Sequence, residues 1–179
     1  MRCFLLPLLL AQPVLADDCP PAADHRAREA ALFEQLQALP GPVGAQALSD
    51  QLWQLWTDAP DATAQALLDE GMRQRARFDL LAARETFDEL VAYCSAYAEG
   101  YNQRAFAHFL RADYGLALAD LDAAIGLSPH HTGALTGKAL TLIRLGRDVE
   151  AQEILRAALA LNPWLSERAL LSTPLEQDI

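Results

Sequence analysis

Residues that could perform chemistry are few and scattered in this sequence. Of four histidines, His130 and His131 are adjacent and could contribute to a metal site, but no Cys, Asp or Glu at ligand spacing completes one. Asp120 and Asp122 are two residues apart, so on a helix their carboxylates diverge and cannot act as a catalytic pair. We therefore expect no catalytic residue, no metal site and no cofactor.

Common catalytic motifs are also absent from the sequence, including nucleophile elbows, glycine-rich phosphate loops and HExxH helices. Arg73 and Arg77 are one helical turn apart and are interpreted as solvated charges near Glu70 and Asp79, with carboxylate binding as the alternative. His108 is interpreted as lining the core. The chain is predicted not to be an enzyme.

The composition favours helices and an acidic surface. Apolar residues make up 52% of the 179 residues, Ala and Leu dominate, and β-branched residues are few. No apolar run approaches the roughly 20 residues that a membrane-spanning helix needs. The net charge of −10 repels phosphate backbones and anionic lipid headgroups, so we expect neither nucleic acid nor a membrane surface as a partner.

The first 16 residues are typical of an export signal. Arg2 supplies a positive start, Phe4–Leu10 an apolar segment, and Val14–Ala16 a small-residue cleavage site. Pro7 interrupts the apolar segment, and the alternatives are an uncleaved anchor or a mis-chosen start codon. The sequence predicts a soluble, exported protein, located in the periplasm, that has lost residues 1–16.

Two cysteines, Cys19 and Cys94, remain after this cleavage. Two exposed thiols in an oxidising compartment tend to pair, so a disulfide between them is one interpretation. The alternative is that Cys94 is a buried small hydrophobic residue near a helix end. The spacing fits neither a metal site nor a CxxC redox pair.

A sequence pattern recurs every 34 residues, three times, between Ala64 and Leu165. When the three repeats are aligned, two positions, called columns here, always hold a small residue. One column contains Gly71, Ala105 and Ala139, and the other contains Ala83, Ala117 and Ala151. Small side chains at these positions allow the two helices of a hairpin to approach closely. Such a period is typical of solenoids built from helical hairpins.

Each repeat contains two amphipathic stretches with apolar residues at helical spacing. The three predicted units are 64–97, 98–131 and 132–165. Turns inside them are predicted at Phe78-Asp79, Ala112-Asp113-Tyr114 and Gly146-Arg147-Asp148. Pro129 and Pro163 mark the turns after the second and third units, because proline cannot donate into a continuing helix.

These columns resemble the tetratricopeptide repeat family, whose pattern has large, small, aromatic, Ala, Phe, Ala and Pro residues at these positions. Tyr101–Ala105 and Ala112–Ala117 are similar to the family consensus almost throughout, and Ala158–Pro163 ends the third unit in the same way. The first unit departs from it, with Gln74 in place of the aromatic residue and Ser95 in place of proline. The resemblance covers residues 64–165 and implies an all-α, right-handed α-solenoid of helical hairpins.

The segment before the repeats, 17–60, is predicted to be a leader followed by an atypical N-terminal helix pair. Its helices are expected over Asp24–Leu39 and Val43–Thr57. Terminal units of solenoids are commonly atypical because they cover the exposed core. Trp53 and Trp56 are three apart on one helix face and are expected to pack onto the first repeat.

The segment after the repeats, 166–179, is predicted to be a C-terminal cap and tail. A short amphipathic helix is expected over Leu165–Ser172, ended by Pro174, with Leu170 or Leu171 on the core. The final residues are expected to be loose.

The resemblance also implies a binding surface. In the family, the first helices of the units line a concave groove that takes a peptide or a helix of another protein. The lysine, asparagine and arginine that clamp a terminal carboxylate in some members are missing here. The groove positions carried over to this chain are Leu68, Met72, Arg75, Asn102, Gln103, Phe106, Phe109, Thr136, Leu140, Ile143 and Arg144.

The sequence therefore predicts a non-catalytic protein–protein interaction scaffold of the bacterial cell envelope. Its apolar stripe, flanked by Arg75 and Arg144, suits an amphipathic segment with some negative charge. One alternative is that the stripe residues only pack between neighbouring helices. Another is a structural module with no peptide in the groove, which self-associates through Trp53, Trp56 or Trp164. The partner and the oligomeric state stay open.

Overall fold

A computed structural model describes residues 19–171, which form eight α-helices, one short 3-10 helix and no strand. The predicted all-α solenoid is confirmed. No helix within this range is long and apolar enough to cross a membrane. The predicted export signal and the tail after residue 171 lie outside the described residues. The elements are α1 (Arg26–Ala38), α2 (Ala45–Trp56), α3 (Ala62–Ala76), α4 (Leu80–Tyr93), α5 (Ala98–Leu110), α6 (Tyr114–Leu127), α7 (Thr132–Arg144), α8 (Asp148–Leu161) and the 3-10 helix Ser166–Leu170.

Helices α3 to α8 form three hairpins that stack in chain order. The turn inside each hairpin has one residue with a positive φ, at Phe78 (64°), Ala112 (63°) and Gly146 (72°). In the first turn the amide of Asp79 donates to the carbonyl of Gln74 at 2.9 Å, and equivalent bonds close the other two. The three predicted turns therefore share one backbone path that ends the first helix of each unit.

The small residues lie between paired helices, where the sequence predicts close approach. Ala83, Ala117 and Ala151 are all fully buried. A Cβ atom added to Gly71 would stand 2.7 Å from Cζ of Phe87, which is itself fully buried. The later units have alanine in the column of Gly71 and leucine in the column of Phe87. The first unit thus combines a smaller residue with a larger one.

We expect Gly71→Ala to lower the free energy of unfolding by about 1–2 kcal/mol, because overlap with the Phe87 ring exceeds the ~1 kcal/mol that alanine gains in helix propensity. The double variant G71A/F87L restores the alanine–leucine combination of the later units. It should therefore be more stable than the sum of its single changes predicts. Urea denaturation of all four proteins measures this coupling, and strictly additive effects would contradict it.

The N-terminal helix pair does not continue the stack. The Trp56 ring, expected to pack onto the first repeat, stacks on His131 of the second unit instead. Helix α1 packs against the far end of the solenoid, where Gln37 Nε2 donates to the carbonyl of Ala160 at 2.9 Å and Trp164 Nε1 to that of Leu36 at 2.9 Å. The two helices share a core formed by Leu32, Phe33, Leu36, Ala45 and Leu52, against which Leu161 and Trp164 pack. Large side chains explain why this helix pair does not stack on the repeats, since Gln37 and Trp56 occupy positions where a stacked repeat needs small residues.

The C-terminal cap also differs from its prediction. The segment after α8 forms a 3-10 helix of five residues rather than an amphipathic α-helix. Leu170 and Leu171 are 43% and 40% exposed, so neither lies on the core. Trp164 covers this end of the solenoid instead, because its ring packs against the core of α1 and α2.

Candidate partner-binding groove

A pocket of about 280 Å³ lies on the face formed by the first helices of the repeats. Helices α5 and α7 supply most of it, with Phe106, Phe109 and Leu140 as its large apolar side chains. Trp53 of α2 and Glu167 of the 3-10 helix form the opposite wall. The described structure thus turns part of the predicted open groove into a walled, mainly apolar pocket.

The pocket contains seven of the eleven predicted groove residues: Arg75, Asn102, Gln103, Phe106, Phe109, Thr136 and Leu140. Ile143 and Arg144 lie beyond its lining. Leu68 is a correction, because it is fully buried in the core of the first unit. Met72 packs, partly buried, against that same core. Cys19 of the leader and Ala59 pack there too, and so this end of the predicted groove is filled.

Arg75 is the cation of the pocket. Its guanidinium carbon lies 4.4 Å from the centroid of the Phe106 ring, a favourable cation–π geometry, and one of its nitrogens donates to Oε1 of Gln103. Burial lowers the pKa of Arg75, and the nearby charge of Glu99 opposes this. Within residues 19–171 Arg75 forms no ion pair with a carboxylate. Its charge is therefore available to an acidic group on a bound partner.

A buried carboxylate, Glu99, lies beside the pocket and orders two of its polar lining residues. It accepts hydrogen bonds from Asn102 Nδ2 at 3.0 Å, from Gln103 Nε2, and from His131 Nε2 at 2.7 Å. His131 Nδ1 in turn accepts from the backbone amide of Ala134 at 3.1 Å and caps α7. Because Nδ1 is an acceptor, the ring proton must lie on Nε2. This network ties α5 to the start of α7 and thereby fixes the two walls that carry the apolar residues.

Two of the three tryptophans considered for self-association contact the chain itself. Trp56 stacks on the His131 ring, with 4.0 Å between ring centroids. Trp164 donates to Leu36, as described above. Trp53 is the more exposed one, at 37%, and lies at the pocket.

His108 is buried, as the sequence interpretation expects, and lies in the second unit behind the pocket. Burial lowers its pKa because an imidazolium there loses hydration. Asp120, 3.8 Å from Nε2, acts in the opposite direction, whereas Arg104 adds to the lowering. Its Nδ1 atom has no hydrogen-bond partner among the described residues.

The lowered pKa of His108 predicts a loss of stability in acid. The folded chain binds this proton less readily than the unfolded chain, so the free energy of unfolding falls as the pH drops below the unfolded pKa of about 6.5. We expect His108→Gln to show a smaller fall than the wild type in urea denaturation between pH 7 and pH 5. His130→Gln, at an exposed histidine, is the control and should follow the wild type. An unchanged slope in His108→Gln would contradict the assignment.

Comparison with known proteins identifies the repeats. The Tetratricopeptide repeat family model matches residues 108–167. Residues 108–167 are therefore similar to tetratricopeptide repeats. The matched segment contains α6, α7 and α8, including the α7 wall of the pocket.

Relatives extend the comparison beyond that segment. A TPR repeat-containing protein of Rhizobium etli is 30% identical over 120 residues, which are 65% of this chain and 57% of the relative. The chain therefore spans little more than half the length of that relative.

Solved tetratricopeptide-repeat domains share the fold at lower identity, which by itself shows the fold alone. The Arabidopsis OM64 TPR domain aligns with a TM-score of 0.60 at 20% identity, covering 65% of this chain and 97% of the domain. The first TPR of Spaghetti (RPAP3), bound to the HSP90 peptide SRMEEVD, aligns at 0.59 and 20%, covering 62% and 88%. The TPR2B domain of yeast Sti1 in its pHsp70 complex aligns at 0.58 and 24%, covering 62% and 91%. These comparisons indicate no enzyme family.

Proposed function

We propose that this tetratricopeptide-repeat chain is a non-catalytic scaffold that holds a segment of a partner protein in the pocket between α5 and α7. Phe106 carries the proposal. It is 46% exposed although it lines an apolar pocket, and it lies directly under the unpaired guanidinium of Arg75. An exposed aromatic side chain beside a cation is typical of a residue that anchors a partner.

The pocket dimensions favour an extended segment over a helix. An α-helix with its side chains is about 10–12 Å across. Trp53 and Glu167 also line the pocket, whose volume of about 280 Å³ suits the side chains of one or two residues rather than a whole helix within it. One large apolar side chain can pack against Phe106 and Leu140, with an acidic group beside Arg75. The proposed ligand is therefore a short, extended segment that combines an apolar and an acidic residue.

Peptide binding by a similar fold supports this proposal. The first TPR of Spaghetti holds the peptide SRMEEVD, which contains both acidic and apolar residues. The carboxylate clamp discussed above is missing from this chain, so any acidic group must be recognised differently. Arg75 is the residue proposed for that role.

The proposed location is the bacterial cell envelope, in the periplasm. Support comes from the signal-like residues 1–16 and from the geometry of Cys19 and Cys94. These two residues are paired in the structure with Cα atoms 5.2 Å apart, a separation typical of disulfides. Fractionation of cells should recover the protein with the periplasmic contents, and recovery only with the cytoplasm would contradict the location.

Crosslinking in cells tests the binding site. A photo-crosslinking amino acid at Phe106 or Leu140 should capture the same partner. The control position is Leu116 on α6, which is 57% exposed and lies outside the pocket. Equal capture from Leu116, or capture from Leu116 alone, would contradict the proposed site.

The role of Arg75 can be measured with the captured partner segment. We expect Arg75→Met to weaken binding about tenfold or more, because a charge-assisted hydrogen bond contributes about 1.5–3 kcal/mol. Arg144→Met is the control, since Arg144 is exposed beyond the pocket. Equal affinities for the wild type and Arg75→Met would remove the acidic group from the proposal.

A further inference from the structure

The α1–α2 pair, called here the N-terminal hairpin, contacts the repeats in two places, one after the last helix and one at the start of α7. It precedes the first repeat in sequence, yet it is anchored beyond the last one. Ser49 Oγ accepts from Asn162 Nδ2 at 3.2 Å, and Leu36 accepts from the indole of Trp164 at 2.9 Å. We call these contacts the far anchor.

A second set of contacts, the near anchor, lies over the start of α7. The Trp56 ring stacks on His131 with ring centroids 4.0 Å apart and an interplanar angle of 19°. The backbone carbonyl of Trp56 accepts a hydrogen bond from the Tyr97 hydroxyl at 2.8 Å. Within the hairpin, the Trp56 indole donates to Glu29 of α1 at 2.6 Å. His131 is fully buried, and Glu99, its hydrogen-bond partner, is buried with it.

The N-terminal hairpin therefore covers polar groups that belong to the inner face of the repeats. Glu99, Asn102 and Gln103 lie on the first helix of the second unit, which faces the groove in this family. All three are buried here, and Glu99 and His131 line one cavity together with Leu55 and Trp56 of the hairpin. Trp53 of the same hairpin narrows the neighbouring pocket. The hairpin thus occupies the place of a ligand on one part of this face.

The contacts of the hairpin suit movement as one body. Its apolar core lies between α1 and α2, separate from the cores of the first two repeat units. Its contacts with the repeats are dispersed. Leu161 and Trp164 pack against it at the far end, and Phe33 meets the ring of His130 edge-on. Elsewhere single hydrogen bonds and the Trp56 ring lie against a buried polar network. Polar layers hold two surfaces together less strongly than apolar ones, because water replaces their hydrogen bonds on opening. Two segments connect the hairpin to the first repeat: residues 57–61, between α2 and α3, and residues 20–25, between α1 and the disulfide of Cys19 with Cys94.

We propose that the N-terminal hairpin is a hinged cover that swings off the inner face about residues 20–25 and 57–61 and exposes the Glu99–His131 network. A partner that needs this surface binds only the open form, so its apparent affinity is reduced by the fraction of molecules that are closed. This regulatory meaning rests on the proposed function. The movement itself does not, and its test contains no partner.

Two neighbouring histidines report the opening. Diethyl pyrocarbonate acylates accessible neutral imidazoles, and mass spectrometry of one peptide reads both His130 and His131. His130 is exposed in the closed form, where its ring lies 6.3 Å from that of Phe33, and serves as the internal reference, whereas His131 is buried beneath Trp56. The reaction is run on the full, disulfide-intact chain without denaturant.

Variants at the far anchor separate opening of the cover from global unfolding. Trp164→Ala should raise the rate of His131 modification about tenfold or more, equivalent to about 1.4 kcal/mol lost from the closed form. Ser49→Ala removes only one hydrogen bond and should raise it in the same direction, which gives a result even if Trp164→Ala fails to fold. Ile125→Ala lowers the stability of the second unit, within a core that contains no residue of the hairpin, and should leave the His131 rate unchanged.

Two results would contradict the proposed opening of the N-terminal hairpin. One is an equal increase of His131 modification in Ile125→Ala and in the far-anchor variants, since His131 would then be exposed only by global unfolding. The other is a His131 rate that no far-anchor variant changes, since the two anchors would then not move together. Failure of the crosslinking experiment at Phe106 would instead affect the proposed binding site alone.

Discussion

The Glu99→Ala variant is expected to lose about 3–5 kcal/mol of its free energy of unfolding. Glu99 accepts hydrogen bonds from three buried side chains, Asn102, Gln103 and His131. Alanine leaves these donors buried without an acceptor, and each unsatisfied group costs about 1–3 kcal/mol. Urea denaturation at neutral pH measures the loss.

Two further variants of acidic residues sharpen this prediction. Glu99→Gln keeps one oxygen but places an amide donor among three donors, so its stability should lie between those of the alanine variant and the wild type. Glu153→Ala removes an exposed carboxylate from α8 and should change stability by no more than about 0.5 kcal/mol. If Glu99→Ala were as stable as Glu153→Ala, the buried network would not hold α5 to α7 as described.

Loss of the disulfide is the other large expected effect. A bond between Cys19 and Cys94 closes a loop of 75 residues, which stabilises the fold by about 4 kcal/mol in the chain-entropy model. Cys19→Ser is the appropriate variant, because Cys19 is only partly buried whereas Cys94 lies in the core. It should lower the free energy of unfolding by about that amount under oxidising conditions.

Reductant provides the control for this prediction. Dithiothreitol should lower the stability of the wild type to that of Cys19→Ser and leave the variant itself unchanged. Pairing is checked by intact mass after alkylation without reductant, where the wild type should take up no label. Two alkylated thiols in the native protein would show that the bond is absent.

Local features of the repeats could be predicted from sequence because they depend on short-range periodicity. The small columns that contain Gly71 and Ala83 set how closely the paired helices approach. The turns at Phe78, Ala112 and Gly146 follow from the same 34-residue period. These features need only neighbouring units, and each unit repeats the same information.

The position of the N-terminal hairpin could not be predicted in this way. Its contacts join residues more than one hundred positions apart, as between Ser49 and Asn162, and they depend on how the whole stack curves. The large residues Gln37 and Trp56 in the small columns indicated that the pair is not an ordinary repeat. They did not indicate where its apolar face would be buried.

Contacts between distant parts of the chain also explain why the sequence analysis assigned some residues to the wrong environment. Leu68 has the phase of a groove residue, but the leader covers that end of the face. His131 was considered only as a metal ligand, whereas it caps α7 and donates to Glu99. The sequence does contain Glu99 and, 32 residues later, His131. This spacing indicates a contact only when consecutive repeat units are known to stack.

The affinity of the captured partner segment for two matched variants tests the central claim most directly. The claim is that Phe106 anchors a partner in the pocket between α5 and α7. Titration calorimetry should show Phe106→Ala weakened by about 2 kcal/mol, roughly thirtyfold in Kd, and Leu116→Ala unchanged. A folded Phe106→Ala variant that binds as tightly as the wild type, with Leu116→Ala weakened, would contradict it.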